Sequence, residues 1–249
     1  MGFLSCGAHA DAPPGVQSPY TAAVKTFLEK HDAEIERATF ESALRFECYS
    51  DSRSEFAIGV RQTFLIQAPL SEVIKVLDGF SDYTSIFDGM RRAEVKSEFA
   101  GGYTFFTEQD VPVPFVPNER NEMIYRVDQH AGIDKSYRYQ LLKSNHLKYN
   151  DGLIVVKTKT PGTTLYDEID FWDADLGLAK TLGAKKVWKD SLEGIYQADL
   201  AVQLKAEKKE MTNAQILKAS KKQAAEQDFN SCISSKKPFQ YLGKTDAHT

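Results

Sequence analysis

The stretch "TPGTTLYDEIDFWD", residues 160 to 173, decides how this chain is read. Pro161-Gly162 is a turn signal, and the residues after it alternate. Leu165, Ile169 and Phe171 fall on one side, and Tyr166, Glu168, Asp170 and Trp172 fall on the other. A period of two with one apolar face is a β-strand whose apolar side is expected to face a core. Asp167 lies on that apolar side. A carboxyl there has three readings: a general base, a contact to one polar group of a bound molecule, or half of an ion pair with an arginine such as Arg126 or Arg138.

Upstream the same period recurs. Phe56, Ile58, Val60, Phe64 and Ile66 alternate until Ala68-Pro69, and "RAEVKSEF", "YTFFTEQD", "NEMIYRVDQ", "KSYRYQLLK" and "LIVVKTKT" follow as further strands. Gly101-Gly102, His130-Ala131-Gly132 and Asn150-Asp151-Gly152 are read as turns between them, so the sheet has about seven strands. Between the first two strands, Ser71 is the expected N-cap of a short helix over "EVIKVLD", and "DGFSDYTSIFDGM" a second helical piece. The bend "VPVPFVP", with prolines at 112, 114 and 117, is too stiff for a central strand and is read as a lip with Phe115 as its gate, or as a plain connector.

Helical spacing brackets the sheet. Tyr20, Val24, Phe27, Leu28, His31 and Ile35 predict an amphipathic helix from Pro19 to about Arg37. Val187, Trp188, Leu192, Ile195, Tyr196 and Val202 predict a long one from about Thr181 to Lys209, the longest apolar stripe available to cover the sheet. The Lys-rich stretch from Met211 onward is expected to be loosely held.

Composition narrows function by exclusion. The 249 residues are 42% hydrophobic and 11% aromatic, enough for a substantial core. Lys and Arg total 31 against 35 Asp and Glu, a formal charge of −4, so no overall positive field exists to attract nucleic acid. No run reaches the roughly 18 to 20 apolar residues of a membrane-spanning helix. The histidines at 9, 31, 130, 146 and 248 are scattered, and no HExxH, CxxC, GxSxG, P-loop or GxGxxG pattern is present. Neither metal nor cofactor is expected. Ala8-His9-Ala10 after an apolar stretch has the small-x-small pattern of a signal-peptidase site, which predicts export, periplasmic or secreted. Export would leave Cys48 and Cys232, either bridged or as two buried thiols.

A strand, two short helices, six more antiparallel strands and a long C-terminal helix resemble the helix-grip order of the START-like superfamily, which includes lipid-transfer domains, plant pollen allergens and polyketide cyclases. The resemblance covers residues 55–209. It is carried by Gln67-Ala68-Pro69 leading into "SEVIKVLDGFSDY", the Gly152 hairpin, "PGTTLYDEIDF" and the helix ending in "LAVQLKAEKK". These are marks of architecture, not of activity. The resemblance implies an α+β fold: a seven-stranded curved antiparallel sheet wrapped around the C-terminal helix, enclosing a hydrophobic cavity. The organisation expected is a signal peptide or its remnant at 1–10, an N-terminal helical extension at 11–54, the ligand-binding domain at 55–209 and a tail at 210–249.

If Leu165 and Phe171 point inward, alternation brings Tyr125, Tyr137 and Tyr139 onto the apolar-rich faces as well. Several inward hydroxyls suit a roomy, partly polar pocket better than a dry core. The expected lining is Tyr125, Tyr137, Tyr139, Asp167, Ile169, Phe171, Trp188, Leu192 and Ile195, with Trp172 at the rim. The expected function is carriage of a hydrophobic small molecule, lipid-like, by a monomer that touches membranes transiently. A cyclase or hydratase using the same pocket and a protein-interaction module with a filled core are the rivals.

Overall fold

The computed structural model describes Thr21, Val24, Lys25, Phe27 and residues 45–51, 54–111, 116–130, 133–174 and 182–238. The expected signal segment, His31 and the Phe115 gate lie outside the described residues.

Nine strands form one sheet: β1 (Arg45–Asp51), β2 (Ser54–Ile66), β3 (Met90–Phe99), β4 (Gly102–Gln109), β5 (Glu119–His130), β6 (Ile133–Ser144), β7 (Leu147–Thr160), β8 (Thr163–Ala174) and β9 (Lys237–Pro238). Their order is β3-β4-β5-β6-β7-β8-β2-β1-β9. The seven expected strands are β2 to β8, and the correction to nine adds β1 and β9 at one edge. β1 occupies part of what reads as a helical extension, because its alternation spans only Phe46 to Ser50. β9 is two residues long and pairs parallel with β1, too short to leave a periodic trace. Register shifts within β3–β4, β5–β6 and β7–β8 mark bulges, which bend strands.

Between β2 and β3 lie α1 (Leu70–Leu77), a 3-10 turn (Phe80–Asp82) and α2 (Tyr83–Ile86). The N-cap of α1 is Pro69 rather than Ser71, and no side chain caps it. After the sheet come α3 (Ala184–Glu207), α4 (Asn213–Glu226) and α5 (Phe229–Ser234). Of the stretch expected to be loose, residues 211–238 are held, and 239–249 lie outside the described residues. Thr212 and Gln215 form a capping box on α4, Ile216 is fully buried, and Cys232 of α5 is bridged to Cys48 of β1.

Gly152 is the second correction to the turn pattern. Asn150-Asp151-Gly152 does not turn; β7 runs straight through it. Gly152 pairs with Tyr139 on one side and Asp170 on the other, and a Cβ on it would lie 2.0 Å from Tyr139 Cζ. The glycine is there because the tyrosine ring lies across the strand, and only a residue without Cβ lets it.

Strand β8 is buried on both faces. On the inner face α3 packs at both ends through apolar clusters: Ile58, Val60, Trp172, Trp188 and Leu192 near its start, and Phe64, Tyr137, Tyr166, Ala201 and Val202 near its end. On the outer face Val24 and Phe27, both helical, pack with Ala57, Leu153, Val155, Ile169 and Phe171.

Candidate functional site

The register of β8 settles which of its faces meets α3, and it is the polar one. Glu168 pairs with Gln62 and Asp170 with Val60, while Tyr166 reaches Asp199 of α3. Tyr166, Glu168, Asp170 and Trp172 therefore face inward, and Leu165, Asp167, Ile169 and Phe171 face outward. This corrects the expected placement of Asp167, Ile169 and Phe171. Their apolar neighbours serve the second core layer under the N-terminal helical residues, a layer that one-sided reading of an antiparallel strand leaves out. Asp167 is fully buried there, 2.8 Å from Arg61 Nη2, with Arg61 Nε and the Thr63 hydroxyl also donating to it. The guanidinium of Arg61 lies 4.7 Å from the Phe27 ring centroid. Asp167 is paired with Arg61, not with Arg126 or Arg138.

Between its two apolar ends α3 stands off the sheet. Ser191, Gly194 and Ala198 recur at helical spacing on one line of α3, and a Cβ on Gly194 would meet nothing within 4 Å. The space left open is a cavity with two lobes that share Asp88, Gln109, Asp190, Gly194 and Ala198. One lobe, of about 390 Å³, is walled by Leu147, Asn150, Asp170, Trp172, Val187 and Ile195, with Glu119 and Asn121 on the β5 side. The other, of about 530 Å³, is walled by Tyr83, Phe87, Met90, Phe105, Tyr125 and Gln197. Gln197 donates to the Ile86 carbonyl and to the Ser220 hydroxyl and accepts from the Asp88 amide, tying the loop after α2 and helix α4 to α3 beside this lobe.

The floor holds an unusual set of carboxyls. The Tyr139 hydroxyl donates to Glu168 Oε1 at 2.8 Å. The Tyr166 hydroxyl lies 3.0 Å from Glu168 Oε2 and 3.1 Å from Asp199 Oδ1. One hydroxyl hydrogen serves only one of these oxygens at a time. Asn150 Nδ2 donates to Asp170 at 2.6 Å. Burial away from water lifts all three acids above the ordinary carboxylate range, Asp170 and Asp199 strongly, and their mutual repulsion adds to it. Among the described residues none of the three has a cationic partner. Burial likewise raises the Tyr125 and Tyr139 phenols, which stay protonated donors. Of the three acids Asp170 lines the smaller lobe, while Glu168 and Asp199 line neither lobe and lie in the buried tyrosine network beside it; the set is able to hold or move protons.

Of the residues expected to line the site, Tyr125 and Ile195 do so. Tyr139 sits behind the wall through Glu168, and Tyr137 sends its hydroxyl 3.0 Å to Asp78 within the packed end under α1. Trp188 and Leu192 are in the apolar cluster at the start of α3. Trp172, expected at the rim, is 4% exposed and lines the smaller lobe. Glu168, Asp170, Asp199 and Gly194 were not anticipated, although Gly194, a glycine inside a long helix, was a visible signal of missing packing.

No family model and no curated protein matches the sequence. Solved structures do. Human STARD10 superimposes on 77% of this chain and 81% of its own at a TM-score of 0.56, with 11% identity. The fold is START-like. Two further solved structures to which the chain is similar are the STAR-related lipid transfer protein of Xanthomonas axonopodis, at TM-score 0.46 and 13% identity over 70% of this chain and 96% of that one, and the Zhui aromatase/cyclase of Streptomyces sp. R1128, at 0.41 and 18% over 72% and 99%. No residue of either is matched to a residue here.

Proposed function

We propose that this START-like chain binds a hydrophobic small molecule between α3 and the inner face of the sheet and carries it. The observation that supports this best is the line Ser191, Gly194 and Ala198. A filled-core interaction module gains nothing from a helix that lines an open cleft with its smallest side chains, since each unfilled gap forfeits dispersion contacts and apolar burial. A carrier needs that gap. Trp172, Val187, Ile195, Leu147, Phe105 and Met90 supply apolar wall, so a guest gains about 25 cal/mol per Å² of apolar surface removed from water. The polar wall groups orient it. The Cys48–Cys232 bridge suits an oxidising compartment and supports export.

Native mass spectrometry of the protein purified from its own host, followed by organic extraction, tests this. A stoichiometric apolar molecule is expected. Protein that is empty and stays empty when offered mixed lipids favours the interaction module instead.

A second reading rests on the carboxyl set. Asp170, facing the cavity with its pKa raised by burial and backed by Glu168 and Tyr139, is placed to protonate or polarise a guest carbonyl, as a cyclase or hydratase requires. Turnover of a poly-β-ketone or enone guest that disappears in Asp170→Asn while guest binding persists would establish it; binding without turnover leaves the carrier.

A further inference from the structure

The smaller lobe has a chemical bias that apolar binding does not need. Among the described residues its ionisable lining comprises Asp88, Asp110, Glu119, Asp170, Asp190 and His146, with no lysine or arginine. Asp88, Asp110 and Asp190 are neutralised from outside the lobe by Lys221, Arg91 and Lys186. Glu119 and Asp170 have no lysine or arginine partner among the described residues: Asn121 Nδ2 donates to Glu119 at 2.6 Å and Asn150 Nδ2 to Asp170 at 2.6 Å.

An independent sign comes from Asn121, which is 8% exposed and lines the same lobe. Its nitrogen is committed to Glu119, and its buried Oδ1 has no partner among the described residues. The wall thus presents an unmatched amide oxygen and two desolvated carboxyls: acceptors in excess of donors. Donors in the same wall are the Trp172 indole N–H, also without a partner and with a ring that offers a π-face, and the neutral groups of Gln109 and Ser191, beside His146. Burial raises both carboxyls, a cost that a cation brought in by the guest offsets and that an anionic guest worsens.

We propose that the guest is an amphiphile whose polar group is a cation, an alkylammonium, and that Asp170 pairs with it in the lobe walled by Glu119, Asn121 and Trp172. This rests on the cavity reading above and narrows its ligand class. An ammonium offers three N–H donors and no acceptor, which is what that wall lacks. A carboxylate or phosphate headgroup would instead add negative charge beside acids that already repel one another.

Calorimetric titration of the full chain with octylamine, octanol and octanoate tests the proposal, at about pH 8, below the ordinary pKa of a primary ammonium near 10.4. Octylamine is expected to bind about tenfold or more tighter than octanol, the worth of one hydrogen bond to a charged group, and octanoate most weakly. In Asp170→Asn, and to a smaller degree in Glu119→Gln, the amine and the alcohol should converge to within about twofold. Octanol binding as well as octylamine, or a preference for the amine that survives both variants, overturns the cation proposal and leaves the cavity reading standing. If none of the three binds, or if all bind unchanged when Gly194→Trp fills the space beside α3, the cavity reading falls and the proposal falls with it.

Discussion

One strand buries carboxyls in two opposite ways. On the outer face of β8, Asp167 is fully buried against a guanidinium, with the Thr63 hydroxyl also donating to it. One residue along, on the inner face, Glu168 is held by two tyrosines and a second acid, and Asp170 by an asparagine. The outer carboxylate has its counter-charge and is part of a core. The inner ones lack theirs and sit at a void. Burial with a partner is a structural solution; burial without one beside empty space is the arrangement expected of a site, because the partner is then left for a guest or a reaction to supply.

The largest effect that can break this contrast is on the outer face. Arg61→Ala strands the Asp167 carboxyl in a dry layer and is expected to cost about 3–5 kcal/mol in urea unfolding. A cost under about 1 kcal/mol would mean that Asp167 reaches water or is neutral, and the two faces would no longer differ.

The next effect compares two glycines that lie under aromatic rings. A Cβ at position 152 meets the Tyr139 ring at 2.0 Å, and one at 59 meets Phe171 Cε1 at 2.2 Å. Gly152→Ala and Gly59→Ala should each lower stability by about 1–3 kcal/mol through overpacking. Only Gly152→Ala should also weaken octanol binding, because Tyr139 is what holds Glu168 in the cavity floor. Equal effects on binding would remove the distinction between the faces.

A smaller effect has the opposite sign. Asp170 has a folded pKa above its unfolded value near 3.9, so folding takes up a proton in the interval between the two. Its contribution is therefore most favourable below the unfolded value and declines as pH rises toward the raised folded value. Asp170→Asn should stabilise the protein at about pH 8 by about 1 kcal/mol or more, and by less at about pH 5. Thermal melts at both pH values check this, at about 2–4 °C per kcal/mol for a chain of this size. The smallest effect is Gly194→Ala, which should add about 0.5–1 kcal/mol of helix stability while narrowing the cavity by a single methyl.

How far the sequence carries depends on what each residue's neighbours decide. Strands β2 to β8, the long helix and the START-like order were legible because their periods are local. The Cys48–Cys232 bridge was legible as one of two alternatives. The inner face was not legible. Alternation says that β8 has two faces, and hydrophobicity was used to choose the one that meets α3; with a helical segment on each side of the sheet, both faces are covered and the choice loses its basis. The sequence held the correcting signal, since two amphipathic helices flank one sheet and each needs a face to cover. Asn150-Asp151-Gly152 misled in the same way. Its composition is that of a turn, but Gly152 answers to Tyr139, thirteen positions earlier in the chain, a contact that no local pattern encodes.

The most direct measurement uses the two tryptophans. Trp172 lines the cavity, and Trp188 lies in the apolar cluster at the start of α3. In Trp188→Phe the remaining fluorescence comes from Trp172 alone, and titration with 8-bromo-octanol, whose bromine quenches at contact, reports whether a guest reaches the inner face. The account predicts saturable quenching that disappears when Gly194→Leu, a non-fluorescent filler, is added in the same background. Absence of quenching, or quenching of the same size with position 194 filled, would contradict it.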